Sequence, residues 1–159
     1  YASVVLTLFA YDSDRVLDGS GYLVPRSEGL LMTAATWAST KWSHLATPGR
    51  LLLRVSAGRF GDERAMQLDD DALVERLRAD LATTMDLRDE PMATRVVRWD
   101  RSFPQFLPGH GARMAAAAAE IAERAPTIAL AGAALNGVGI PACIGSGRDA
   151  ARTIVAAAG

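Results

Sequence analysis

The chain has 159 residues, half of them hydrophobic and 22% charged, with a net charge of −1. That length can bury a core, and the composition is that of a globular chain rather than a disordered one. The charge balance gives no footprint for nucleic acid or an anionic lipid surface. One cysteine, Cys143, excludes an internal disulfide framework and a multi-cysteine metal site. No apolar run approaches the ~20 residues that span a bilayer, and no signal peptide is read. The chain opens at Tyr1, without methionine and already in a strand-like run, which reads as a piece of something longer.

In chain order, Tyr1–Tyr11 is β-branched and aromatic with Ser3 and Thr7 as its only polar interruptions, which predicts a strand buried on both faces. A turn-forming stretch follows, then the short apolar run Tyr22–Pro25, stopped by its proline. Glu28–Ser39 and Gly49–Arg59 read as two further strands. Asp69–Met85 has apolar residues at Leu73, Val74, Leu77, Leu81 and Met85. That is helical spacing, and its three leading aspartates suit the positive end of a helix dipole. Met92–Asp100 predicts a strand, and the following stretch to Gly111 is irregular on account of Pro104 and Pro108. Ala112–Ala125 is a helix by propensity. A strand over Thr127–Ala134 and an Ala-rich closing helix complete the reading.

The expected fold class is α+β passing into α/β: a mixed sheet over residues 1–105, then helix–strand–helix over residues 106–159. An orphan strand in that second part lacks parallel neighbours, which again points to a fragment.

Gly132 stands at the expected strand end, and Gly137 and Gly139 flank Val138. Glycines admit positive φ and close backbone approach, and Pro141 suits a first helical turn. The free N–H groups of such a turn form an electropositive cup. The register fails as a dinucleotide fingerprint: no glycine stands at the third position, and no acidic residue follows about 20 places on. Tight helix packing and ligand contact both remain open on spacing alone. His44 and His110 have neither metal nor triad spacing, and Cys143 reads as an inert core thiol. No catalytic acid, base or nucleophile and no metal ligand set is read.

The stretches "GSGYLVPRSEGLLMTAATWAS", "RWDRSFPQFLPGH" and "LAGAALNGVGIPACIGSGRDAA" together resemble the C-terminal part of bacterial protoporphyrinogen/coproporphyrinogen oxidases. These are FAD enzymes of haem synthesis within the flavin amine oxidase superfamily. The resemblance covers essentially the whole chain, and the pairing of W-x-x-x-x-P-Q-[FY]-x-x-G-H with G-V-G-x-P-x-C-I is its specific part. It implies a two-domain FAD-linked oxidase, of which residues 1–105 belong to the substrate domain and 106–159 to the FAD domain. FAD contact then falls to Trp99, Gly132, Val138, Gly139 and Ile140, with the helix start facing the pyrimidine edge of the isoalloxazine. Leu23 and Trp37 fall to the porphyrinogen pocket. The implied partners are a porphyrinogen, dioxygen and the missing N-terminal part of the same chain. The implied location is the cytoplasm, with peripheral membrane contact as a further option. Relatives often carry Asp before the cysteine where this chain has Ala142, which removes an acidic group near the helix start. The other readings are an amine oxidase or desaturase of the same superfamily, and a non-enzymatic α+β binding module. On the main reading the piece alone is inactive.

Overall fold

The computed structural model describes residues 1–158, with Asn136 and Ala158 described through their backbone only. The chain divides into two compact units, Tyr1–Ser102 and Phe103–Gly159.

The first unit is built on five strands: β1 (Ala2–Asp12), β2 (Gly21–Leu23), β3 (Met32–Trp37), β4 (Arg50–Ala57) and β5 (Ala93–Phe103). Their order in the sheet is β2-β3-β4-β1-β5. The pairs β2–β3, β3–β4 and β1–β4 are antiparallel. The Met92 N–H bonds the Ala10 carbonyl at one end of β1, and the Ser3 hydroxyl lies at Asp100 and Arg101 at the other. The β1–β5 edge is therefore antiparallel too. The α+β organisation is as expected, with an antiparallel sheet in place of a mixed one.

Four short helical segments punctuate the connections: α1 (Ala38–Lys41), α2 (Arg64–Gln67) and single 3-10 turns at Arg26–Glu28 and Ser43–Leu45. The one long helix of this unit, α3 (Asp70–Met85), starts where the aspartate run places it. Asp69 caps it, its side chain accepting the Ala72 N–H at 2.8 Å. Its stripe Leu73, Leu77 and Leu81 is fully buried against Val5, Phe9, Leu53 and Val55 of the sheet. Removing any of these leucine side chains would cost about 2–5 kcal/mol.

Strand β1 corrects one expectation. Ser3, Val5, Thr7, Phe9 and Tyr11 are buried, whereas Leu8 is 42% exposed and Val4, Leu6 and Ala10 are only half-buried. Helix α3 covers one face of the sheet, and an apolar strand need not be covered on both.

The second unit contains α4 (His110–Arg124), the single turn α5 (Ala133–Asn136) and α6 (Ile140–Ala158). The strand expected over Thr127–Ala134 does not form: Thr127–Ala131 is irregular, and Gly132 leads into α5, its carbonyl taking the Leu135 N–H at 3.2 Å. A strand needs a neighbour for its hydrogen bonds, and this apolar stretch has none among the described residues.

Candidate functional site

In the first unit the site is a sheet face. Residues opposite one another across an antiparallel pair share a face, and alternate residues along a strand do so too. One row across the uncovered face reads Leu23, Ala34, Ser56, Leu6, and the next reads Gly21, Thr36, Arg54, Leu8. Leu23 is 82% exposed at the sheet edge. On β5, Arg98 reaches the Ala65 carbonyl and Asp70, both on the α3 side. Its neighbour Trp99, half exposed, therefore stands on the uncovered face with Leu23. The two lie on strands four spacings apart, roughly 19 Å.

Trp37 is elsewhere. It pairs with Leu53 and shares the covered face with Phe9. It is buried; its ring meets Tyr22 edge-on with centroids 5.3 Å apart, and its indole N–H donates to the Asp18 carbonyl at 3.0 Å. The structure thus brings Leu23 and Trp99 onto one face and sets Trp37 beneath it.

Two features of this unit carry weaker sequence signals. Asp80 is buried on α3, where one of its oxygens accepts the N–H groups of both Leu31 (2.8 Å) and Met32 (2.9 Å). It ties the start of β3 to the helix, and its signal was a carboxylate on the apolar stripe one turn after Leu77. Trp42 lies under two cations, with Lys41 Nζ 5.0 Å and Arg54 Cζ 5.7 Å from its ring. The signal there was an arginine inside the apolar run of β4.

In the second unit the site is the start of α6. Gly132, Gly137 and Gly139 have φ of 127°, 138° and 120°, values that L side chains rarely adopt. A Cβ at Gly139 would meet no heavy atom within 4 Å. Open space and backbone conformation, not crowding, therefore account for this glycine among the described residues. The Gly139 carbonyl accepts the Cys143 N–H at 3.0 Å, which leaves the Ile140 and Ala142 N–H groups without helical acceptors, and Pro141 has none to offer. The first turn has no acidic residue. Val138 (40%), Ile140 (78%) and Ile144 (51%) are exposed around it. Behind the turn, the Gly132 N–H donates to the buried Ser146 hydroxyl at 3.0 Å, and His110 Nε2 lies 3.3 Å from the Leu135 carbonyl. An electropositive backbone edge flanked by apolar side chains suits a ligand that carries negative charge beside apolar surface.

Among the described residues no His, Cys, Asp or Glu cluster could hold a metal ion, and no helix is long and apolar enough to cross a membrane.

An open sheet face in the first unit, and a glycine-flanked helix start free of acidic residues in the second, are the surfaces that the described residues offer to a ligand. Residues 1–155 match the flavin containing amine oxidoreductases, and the chain belongs to that family. It is 37% identical over 133 residues to a coproporphyrinogen III oxidase of Bacillus subtilis, covering 84% of this chain and 28% of that protein. It is 34% identical over 155 residues to one of Staphylococcus aureus, covering 98% of this chain and 33% of that protein. A crystal structure from Exiguobacterium, assigned as a protoporphyrinogen oxidase, superimposes with a TM-score of 0.83 at 27% identity, over 98% of this chain and 34% of that one. The chain spans about a third of the length of the curated relatives it matches.

Proposed function

We propose that this chain is the C-terminal part of an FAD-dependent oxidase that converts coproporphyrinogen III to the porphyrin in haem biosynthesis, with protoporphyrinogen IX as the other candidate substrate. The observation that carries the reading is the likeness to coproporphyrinogen III oxidases over nearly the whole chain, at 34% identity to the Staphylococcus aureus protein.

The residues present fit the cofactor. The turn at Val138, Gly139 and Ile140 offers N–H groups without acceptors among the described residues, a methyl-free approach at Gly139 and apolar flanks. When bound, FAD would accept hydride from the porphyrinogen and be reoxidised by dioxygen. The backbone of the α6 start would orient the ring by its rim and favour negative charge there; Gly132 would shape the approach to that turn. Trp99 would offer an aromatic surface. Leu23 would line the porphyrinogen side of the open sheet face, and Trp37 would hold β2 and β3 in place from below. Tyr1–Ser102 would then serve as substrate sheet and Phe103–Gly159 as part of the FAD domain. No side-chain acid or base is assigned, because the chemistry rests on the cofactor. The reading places the enzyme in the cytoplasm.

The test uses the full-length protein encoded with this chain. It should purify with flavin and, in air, turn coproporphyrinogen III into a fluorescent porphyrin. A flavin-loaded enzyme that oxidises amines or desaturates polyenes, and leaves both porphyrinogens untouched, would overturn the reading.

A further inference from the structure

We infer that Arg54 is a carboxylate-binding residue of the open sheet face, placed to hold a propionate side chain of the porphyrinogen; this rests on the proposed function. Arg54 lies in the row Gly21, Thr36, Arg54, Leu8, and its neighbours on that face are aliphatic, small or hydroxylic. The next arginine along β4, Arg50, is paired with Asp12 at 2.9 Å. Arg54 has no acidic partner among the described residues. Its Nε is shielded from solvent without an acceptor, and among the described residues its one side-chain hydrogen bond is a 3.5 Å approach to Thr36 Oγ1, at the outer limit of such contacts.

A guanidinium with one N–H shielded from solvent and left without an acceptor costs free energy unless a ligand completes it. It is also held in place. The Trp42 ring lies 5.7 Å from its Cζ, and Lys41 on the same ring adds positive potential. The planar fork of arginine matches a carboxylate with two parallel hydrogen bonds. The ligand that suits this face has an apolar body for Leu23, Leu6 and Leu8 and a carboxylate arm for Arg54. A porphyrinogen has that form. Coproporphyrinogen keeps all its propionates, whereas protoporphyrinogen has vinyl groups in place of some, so an arginine here would also bear on which of the two is preferred.

The experiment compares wild type, Arg54→Gln and Arg54→Lys in the flavin-loaded full-length enzyme. The substrates are coproporphyrinogen III and its methyl-ester form, which lacks the negative charges. Arg54→Gln should raise KM for the acid roughly ten- to hundred-fold, the range for a hydrogen bond to a charged group. It should leave KM for the ester, the flavin content and the melting temperature as in wild type. Arg54→Lys should fall between, having the charge without the fork. An unchanged KM for the acid, or an equal rise for acid and ester, would overturn the assignment. So would a loss of flavin or melting temperature in both variants, which would make Arg54 a packing residue. If wild type oxidises neither form, the proposed function itself fails and the assignment falls with it; if wild type is active and the variants match it, only the assignment fails.

Discussion

The ring of Trp37 meets Tyr22 edge-on at an interplanar angle of 65°, and its indole N–H is engaged by the Asp18 carbonyl. A side chain so enclosed acts first on stability. Trp37→Ala should destabilise the first unit by about 3–5 kcal/mol, the range for an aromatic deleted from a core. Trp37→Phe keeps an aromatic there and should lose about 1 kcal/mol with the hydrogen bond. Denaturant unfolding measures both. A higher KM with unchanged unfolding would instead return Trp37 to the substrate wall.

Leu23 should behave in the opposite way. It is 82% exposed, so Leu23→Ser should change stability by no more than about 0.5 kcal/mol. If the porphyrinogen covers it, the lost apolar burial of about 1.5–3 kcal/mol should appear as a rise in KM of roughly ten-fold or more. A variant with wild-type kinetics would take Leu23 off the substrate wall.

Much of the first unit was legible because its elements carry local instructions. Asp69 caps the helix it was expected to open, and Leu73, Leu77 and Leu81 face the core their spacing announced. What was not legible depends on partners distant in sequence. Periodicity cannot tell whether both faces of Ala2–Asp12 are covered, because a helix that covers one of them arrives 58 residues after β1 ends. Nor could it show that Leu23 and Trp37 point apart: that follows from pairing Leu23 with Ala34 and Trp37 with Leu53. The stretch Thr127–Ala131 has a strand's composition and no strand's neighbours. Its apolar pattern predicts a strand without parallel neighbours, and with no neighbour among the described residues it forms none. At the helix start, glycine spacing indicated positive φ, which Gly137 and Gly139 have, but left packing and ligand approach undivided until the open space at Gly139 was seen.

Asp80 supplies a further test. Asp80→Ala would leave the Leu31 and Met32 N–H groups buried and unpaired, at about 1–3 kcal/mol for each. Asp80→Asn retains an acceptor oxygen and loses the Arg76 pairing, which is half exposed, so it should cost much less. Equal losses for the two variants would mean that the charge, rather than the acceptor, is what counts.

Two groups should shape stability at the extremes of pH. Burial pushes the Tyr11 phenol up to about 12, against a partial opposing pull from Arg78. The folded state favours the neutral phenol, so this contribution is complete below about pH 10 and is lost as pH rises toward 12. The Arg64 hydrogen bond lowers Asp62 to about 2. Its contribution is complete above about pH 4 and disappears as pH falls through 2. In a series of melting temperatures against pH, Tyr11→Phe should flatten the alkaline limb and Asp62→Asn the acid limb. An alkaline limb unchanged by Tyr11→Phe would place the responsible group elsewhere.

Gly139 separates backbone strain from ligand contact. With φ at 120° and, beyond its chain neighbours, no heavy atom of the described residues within 4 Å of a Cβ, a side chain there meets strain but no clash. Gly139→Ala should therefore cost about 1–3 kcal/mol in the apoprotein, the range for a residue held in a sparsely populated backbone region. Gly139→Val should cost slightly more, since a branched Cβ restricts the backbone further. If this turn is where the flavin ring approaches, the two variants should part company in the full-length enzyme. Valine, standing in the approach, should lose most of its flavin while the apoprotein still melts within a few degrees of the alanine variant. Alanine, with one methyl, should retain part of it. Bound-flavin absorbance per protein, set against apoprotein melting, makes the comparison. Flavin content that follows melting temperature alone across glycine, alanine and valine would mean that only strain is at work. The open space at Gly139 would then belong to another part of the protein rather than to the cofactor.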